Sequence, residues 1–396
     1  MTTVDAVLDD FLAEHIQELV AFRRHLHARP EIGYDEHETT ALVAQRLQVA
    51  GLTPRELAVG TGLVCDVPGP DAPRPRVALR ADIDALAMTD EKEVAYRSQH
   101  PGIAHACGHD VHTTIVLGCG LALARLLGDA PRGSVRLVFQ PAEETVPGGA
   151  LDVIADGGID DVDAIFGLHC DPKLDVGRFG VRPGPITAAA DLVEIRIHGP
   201  GGHTARPALT VDLVATASEV ATTLPQRLRE REPALSLVFG SVHAGDAANV
   251  IPSLAVLRGS VRTPDRQAWD AAPALLEAEL NDLLSSSGAT HEIAYSQGPP
   301  PVDNEPAATA VLAGAARAAL GPDGLRDVPQ SDGGDDFAWY LERVRGSYGR
   351  LGVRTPGSTD PPLDLHASTF DVDERAIEHG IRVLVHAALS ALHGLA

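Results

Sequence analysis

The stretch His-Ala-Cys-Gly-His-Asp, residues 105–110, sets Cys107 between two histidines. A paired acid, Glu143-Glu144, closes the run Phe-Gln-Pro-Ala-Glu-Glu at residues 139–144. Thiolate, imidazole and carboxylate are the side chains that bind zinc and similar divalent ions. Two adjacent glutamates at the end of an apolar run let one bind metal while the other moves protons. The chemistry this predicts is metal-assisted hydrolysis.

The fold must carry these residues to one place. Leu8, Leu12, Ile16, Leu19 and Leu26 stand at mostly helical spacing and predict a helix over 7–27, stopped by Pro30. A second helix, 37–50, ends at Gly51. β-Branched runs predict strands at 62–67, 76–81, 134–140 and 164–169, with a helix over 112–127. Strands alternating with helices imply a mostly parallel sheet covered on both faces. In such sheets sites collect beyond the carboxyl ends of strands. Asp82 and Asp84 follow the run 77–80, Glu143 and Glu144 follow 135–139, and His169 ends 164–168. Three strand ends then converge on one crevice.

Near Thr187 the pattern changes. Strands are predicted at 192–197, 235–242, 253–261 and 292–296, and helices at 211–229 and 268–284. The order β-α-β-β-α-β is a self-sufficient, ferredoxin-like α+β unit. A Pro-rich run at 298–301 reads as its exit linker. Helix and strand patterns resume at 307–320, 348–353 and 375–392. The expected fold is therefore α/β, with a mostly parallel-sheet catalytic domain of residues 1–186 and 302–396. Residues 187–301 form an inserted α+β domain.

Bulk properties agree with this size and exclude some functions. A chain of 396 residues exceeds what one hydrophobic core usually serves. Lys plus Arg total 32 against 55 Asp plus Glu, a formal net charge of -23. Such acidity argues against a nucleic-acid partner, which needs a basic face. The four cysteines are too few for a disulfide framework in so long a chain. The start, Met-Thr-Thr-Val-Asp, lacks the basic end and apolar core of a signal peptide. The longest apolar run, 116–127, is interrupted by Arg125, so no membrane span is expected. A reducing cytoplasm fits these features and would keep the Cys107 thiol free.

A series of motifs runs along the chain, beginning with Arg-Arg-His-Leu-His-Ala-Arg-Pro-Glu (23–31), Ala-Leu-Arg-Ala-Asp-Ile-Asp-Ala-Leu (78–86) and His-Ala-Cys-Gly-His-Asp-Val-His-Thr (105–113). It continues through Phe-Gln-Pro-Ala-Glu-Glu (139–144), Phe-Gly-Leu-His (166–169), Gly-Gly-His-Thr (201–204) and Asn-Val-Ile-Pro (249–252). Gly-Gly-Asp-Asp-Phe (333–337) and Leu365-His366 complete the series, which spans nearly the whole chain. Taken together, these motifs resemble the M20 metallohydrolases, specifically the amidohydrolase branch of hippurate hydrolases, N-acyl-amino-acid deacylases and auxin-conjugate hydrolases.

The resemblance implies a binuclear site bound by Cys107, His109, Glu144, His169 and His366, with Glu143 as the catalytic base. It implies two divalent ions, zinc or manganese, with cobalt or nickel also compatible with the mixed donors. The residue count agrees with two ions, because one tetrahedral catalytic zinc needs three protein ligands and water. Five ligands and a spare glutamate fit a pair of ions roughly 3.5–4 Å apart, with Cys107 as the bridge. Asp82 and Asp84 are expected to orient an imidazole. The resemblance makes His203 the oxyanion donor, reaching the site when the inserted domain closes as a lid, and Asn249 a helper. An arginine such as Arg258 could clamp a substrate carboxylate. The implied substrate is a small N-acyl amino acid, cleaved to a carboxylic acid and a free amino acid. A homodimer through the inserted domain is expected by resemblance alone.

Three residues depart from the family pattern. Ala87 stands where Pro is usual, Ala208 where a second His commonly follows, and Asp335 where Glu is usual. Segment 355–365, with adjacent prolines, also differs. None of these removes a metal ligand; they bear on substrate choice. Plainer roles stand beside the chemical ones. Cys65, Cys119 and Cys170 read as core residues, and His105, Asp110 and His112 could satisfy a helix N-terminus. Two rival functions remain at this stage: a dipeptidase or carboxypeptidase of the same superfamily, and a non-catalytic peptide binder with a structural metal.

Overall fold

The apolar runs form the centre of an eight-stranded sheet. Its order is Arg55–Glu56, Leu63–Pro68, Ser134–Gln140, Arg76–Asp82, Ala164–Asp175, Gly346–Arg354, Phe179–Val181 and Leu325–Asp327. The four strands from Ser134–Gln140 to Gly346–Arg354 run parallel. Antiparallel pairs flank them, Leu63–Pro68 on one side and Phe179–Val181 on the other. Residues 77–82 are all buried, which explains why this strand reads as an unbroken run and not an alternation. The helices His109–Leu126 and Arg375–Leu395 pack against the central strands, with Thr3–Ala28 and Pro306–Leu320 beside them. Gly120 permits close approach of the first of these helices to the sheet; a methyl group there would lie 2.3 Å from Leu137.

The computed structural model describes residues 3–69, 75–126, 133–358 and 363–395. It divides into two compact units. Met1–Ile186, Asp303–Pro329 and Asp336–Ala396 form the larger, and Thr187–Val302 with Gln330–Asp335 the smaller. The expected α/β class, with its large mostly parallel sheet, is the class observed.

The smaller unit has a four-stranded antiparallel sheet in the order Ser236–Ala244, Leu254–Thr263, Ala189–His198 and Thr290–Ser296. The helices Leu213–Arg231 and Arg266–Leu284 pack against it. Both are N-capped by an aspartate, Asp212 accepting from the amides of Val214 and Ala215, and Asp265 from that of Ala268. Ile195, Leu237, Leu257, Leu224 and Leu276 lie in its separate core. Leu192, Val238 and Leu254 stand exposed on the sheet.

Three details differ from the sequence expectation. The strand begun at Ala164 does not end at His169 but continues to Asp175, because Asp171 and Asp175 still pair with the Gly346–Arg354 strand. The helix expected from residue 112 begins at His109, since Gly108 turns the chain there at φ 95°; Leu127 lies outside the described residues. Residues 330–335, placed with the larger domain from sequence, group with the smaller unit. The Gln330 side chain donates to the carbonyls of Thr187 and Pro264, and Ala188 donates to the carbonyls of Ser331 and Gly333. No hydrophobic periodicity announces such a strap. Among the described residues, no helix is long and apolar enough to cross a membrane.

A buried polar network ties the central strands together. Arg80, 1% exposed, bonds Asp82 Oδ2 at 2.6 Å, Asp336 Oδ1 at 2.8 Å and Gln140 Oε1 at 2.8 Å. Tyr340 donates to the same Gln140 oxygen at 2.9 Å. Removing one partner of such a network leaves buried charge uncompensated. Arg80→Met is therefore expected to destabilise the fold by about 3–5 kcal/mol, read as a lower midpoint in chemical denaturation. A midpoint unchanged from wild type would show that the network carries no such weight.

Candidate metal centre

The chain brings its donors together through backbone turns that few residues adopt. Gly108, between Cys107 and His109, has φ 95°, and a side chain there would lie 2.8 Å from Cys170 Sγ. Ala142, just before the glutamate pair, has φ 53°, and His366 has φ 63°. Non-glycine residues in this region are uncommon and strained by about 1–3 kcal/mol each. The His366 turn is held by its amide, which donates to the Ala106 carbonyl at 2.8 Å.

All five expected donors lie in the larger unit and converge. Cys107, His109 and His169 present ligand atoms within 4.8 Å of one another, and so do Cys107, Glu144 and His366. Cys107 belongs to both groups. Its sulfur lies 3.4 Å from His169 Nε2, and His366 Nε2 lies 3.2 Å from Glu144 Oε1. Glu143 Oε2 stands 3.9 Å from His109 Nε2.

The imidazoles are oriented from behind. His109 Nδ1 donates to the Asp84 carbonyl at 2.9 Å and lies 3.2 Å from its carboxylate. His109 Nε2 is left buried without a hydrogen-bond partner. His169 Nδ1 donates to the Cys170 carbonyl at 2.8 Å, so its Nε2 faces Cys107 unprotonated. A buried nitrogen with a free lone pair beside a thiol and carboxylates suits a divalent ion. The donor set thus fits the metal that the sequence implies.

Asp82 and Asp84 serve different rings. Asp84 holds His109 and also accepts the Glu144 amide at 3.0 Å through Oδ2. His112 Nδ1 donates to Asp82 Oδ1 at 2.6 Å, and His112 Nε2 accepts the Cys170 amide at 2.9 Å. His112 therefore has both nitrogens engaged and caps nothing. Asp110 pairs with Arg23 and His27, each at 2.7 Å. Cys65, Cys119 and Cys170 are buried and free of disulfides.

Charge in the site follows burial and neighbours. Burial pushes the Cys107 thiol well above its ordinary value. Burial also lowers His169, with repulsion from Arg350 adding, which favours the neutral ring. For Glu144, burial acts upward, but the hydrogen bond from His366 leads the effects that outweigh it and hold the acid low. Asp82 is held well down: burial opposes this, but Arg80, His109 and His112 prevail.

His203, Asn249 and Arg258 belong to the smaller unit. His203 lies exposed on a two-stranded ladder, Gly202–His203 with Val250–Ile251, that the periodicity does not reveal. Its Nδ1 accepts the Ala205 amide at 3.1 Å, which leaves Nε2 as a donor. The Asn249 carbonyl accepts the Thr204 amide at 3.4 Å. Arg258 is engaged by Glu194 at 2.5 Å on the four-stranded sheet. Of the altered segment 355–365, residues 359–362 lie outside the described residues.

Comparison with known proteins then decides the family. The profile of peptidase family M20/M25/M40 matches residues 78–390. The chain belongs to this family. N-acetyl-L-cysteine deacetylase of Bacillus subtilis (strain 168) is 37% identical over 364 residues, covering 91% of this chain and 85% of that one. A Rhodococcus jostii (strain RHA1) protein provisionally named glutamate–cysteine ligase 2-3 is 44% identical over 372 residues. That match covers 93% of this chain but 46% of the relative, so the chain spans less than half of that protein. A solved Bacillus subtilis structure, described as a dinuclear metal binding peptidase from the M20 family, has a TM-score of 0.83 and 31% identity. It covers 96% of this chain and 98% of its own. The M20 resemblance read from the motifs is thus borne out, and this M20 member is a metal-dependent hydrolase.

Residues behind the donors escaped the sequence reading. Glu36 and Asp336 are buried acids that hold the ends of the glutamate loop: Glu36 accepts the Ala142 amide at 2.7 Å and Asp336 the Ala150 amide at 3.0 Å. Asp84 links the same loop to His109. Replacing an outer partner of this kind typically weakens metal affinity about 10–100-fold. Asp84→Ala is expected to do so, measured by competition with a chelator of known affinity, and wild-type affinity would count against its place in the centre.

Proposed function

We propose that this M20 member hydrolyses the amide bond of small N-acyl amino acids, releasing a carboxylic acid and a free amino acid. One observation carries the reading. Two donor groups share Cys107, and Glu143 joins His109 and Glu144 in a third, its Oε2 3.9 Å from His109 Nε2. A closed structural site is complete with four protein ligands, fewer than this cluster of side chains offers.

In this reading Cys107, His109, Glu144, His169 and His366 hold two divalent ions, zinc or manganese. Bound there, the ions supply Lewis acidity that lowers the pKa of water and polarises the amide carbonyl. Glu143 takes the proton of the attacking water and returns it to the leaving nitrogen. His203 donates its Nε2 proton toward the tetrahedral oxyanion, with Asn249 assisting. Arg258 is engaged by Glu194 through Nε, and a substrate carboxylate would share that guanidinium. The similarity to an N-acetyl-L-cysteine deacetylase supports an acylated amino acid over a free-amino dipeptide. A second copy of the chain is expected to cover the exposed Leu192, Val238 and Leu254 of the smaller unit.

Glu143→Ala is expected to lower kcat by about 10²–10⁴, the usual contribution of a general base, while metal content stays at the wild-type level. Turnover of N-acetyl and N-benzoyl amino acids and of matched dipeptides, with elemental analysis of both proteins, checks this. Full activity in the variant would remove Glu143 as the base, and faster dipeptide turnover would reverse the substrate assignment.

A further inference from the structure

Glu36 stands at the N-terminus of the helix His37–Val49 but does not cap it. That task falls to Glu31, whose two carboxylate oxygens accept the amides of Glu38 and Thr39 at 2.9 and 2.8 Å. The Glu36 side chain turns inward instead and is 0% exposed. Its Oε1 accepts the Ala142 amide at 2.7 Å. Ala142 is the residue whose φ of 53° starts the turn into Glu143 and Glu144. Its carbonyl closes the same loop by accepting the amides of Thr145 and Gly149 at 3.4 and 3.0 Å.

An alanine does not hold a left-handed conformation by preference. The conformation persists only where its surroundings over-determine it. Here the amide of Ala142 is tied to Glu36 and its carbonyl to the loop's far end. Gly33, in the segment that leads to Glu36, packs at the same turn; a side chain there would meet Thr145 at 2.7 Å and Ala142 at 3.1 Å. We propose that Glu36 is a positioning residue that fixes the Ala142 turn and thereby sets the direction of Glu143 toward the reacting amide. It touches neither substrate nor donor atoms. Burial, with the charge of Asp84 adding, pushes its carboxyl up to about 7. The bond to Ala142 needs a carbonyl oxygen, not a charge, so a neutral side chain of the same shape suffices.

The proposal rests on Glu143 being the base, and the test separates the two. Two variants are compared with wild type: Glu36→Gln, which keeps the acceptor, and Glu36→Met, which keeps the volume and removes it. Hydrogen–deuterium exchange of the peptide spanning residues 140–150 is measured on metal-free protein and needs no activity. Glu36→Met is expected to exchange at least about tenfold faster there and to lose about 10–100-fold in kcat. Its KM and metal content are expected to stay within twofold. Glu36→Gln is expected to match wild type in every readout. Faster exchange in Glu36→Gln, or wild-type exchange and kcat in Glu36→Met, overturns the proposal. Should Glu36→Met not fold, Glu36→Gln decides alone: wild-type exchange and kcat uphold the proposal, and loss of either defeats it. Altered exchange with unaltered turnover would uphold the turn but defeat its link to Glu143.

Discussion

His109 commits its Nδ1 proton to Asp84, and the geometry of the centre depends on that bond. A neutral imidazole has one donor and one acceptor, and fixing the donor fixes where the lone pair points. The lone pair on Nε2 then faces the space bounded by Cys107 and Glu143. Asp84 has a second oxygen, and it accepts the amide of Glu144. Asp84 therefore aligns, through its carbonyl and its carboxylate together, a ring on the helix His109–Leu126 with the acidic loop after the strand Ser134–Gln140. His169 follows the same logic through the carbonyl of Cys170. His112 shows the contrary case. With Asp82 on one nitrogen and the Cys170 amide on the other, its ring acts as a strut between strand and helix.

Such an arrangement concentrates charge where water is scarce. Asp82, Asp84, Asp110 and Asp336 are each 1% exposed or less. Isolated, each would take up a proton or unfold the site; paired, each is tolerated. Arg80 pairs with both Asp82 and Asp336, and Arg23 with Asp110. Removing either arginine alone would leave its aspartate partners buried and uncompensated. The arginines place the aspartates, and the aspartates place the rings. A half-satisfied network would leave the donors misaligned, which is why the pairing extends from Arg23 and Arg80 at one remove from the centre.

Much of this is legible in the sequence, and the part that is not has a common cause. Strands buried on both faces read as apolar runs, so Arg76–Asp82 and Ser134–Gln140 stand out at once. Cys107, His109 and Glu144 declare themselves by residue type, because few other tasks want a thiol, imidazole and carboxylate together. Glu36 does not, since an acid at the first turn of a helix reads as a cap and only the coordinates show Glu31 in that place. Asp336 is hidden in the same way, since its partners Gln140 and Ala150 are nearly two hundred residues distant. The strap 330–335 carries no periodicity and is held by side-chain-to-backbone bonds. His169 lies inside its strand because pairing with Gly346–Arg354 continues past it, which hydrophobicity alone cannot register. Local pattern reveals what a residue is and seldom whom it faces.

The distribution of exposure in the centre bears on the rival reading of a structural metal. Cys107, His109 and His169 are buried, whereas Glu143 and Glu144 are partly open and the His366 side chain is 52% exposed. A structural site closes its coordination with protein atoms on all sides and excludes solvent. Here one wall of donors is sealed by the sheet and the helix His109–Leu126, and the other side is accessible. The open side is also the side that carries Glu143. A hydrolytic centre needs both features together, since water must arrive, a proton must be taken from it, and the product must leave. The turn at Ala142 is where these requirements meet, because it leads directly into Glu143 and Glu144. A fold that spends backbone strain on that turn, and anchors it to Glu36 on one side and Gly149 on the other, is organised around the orientation of those two acids.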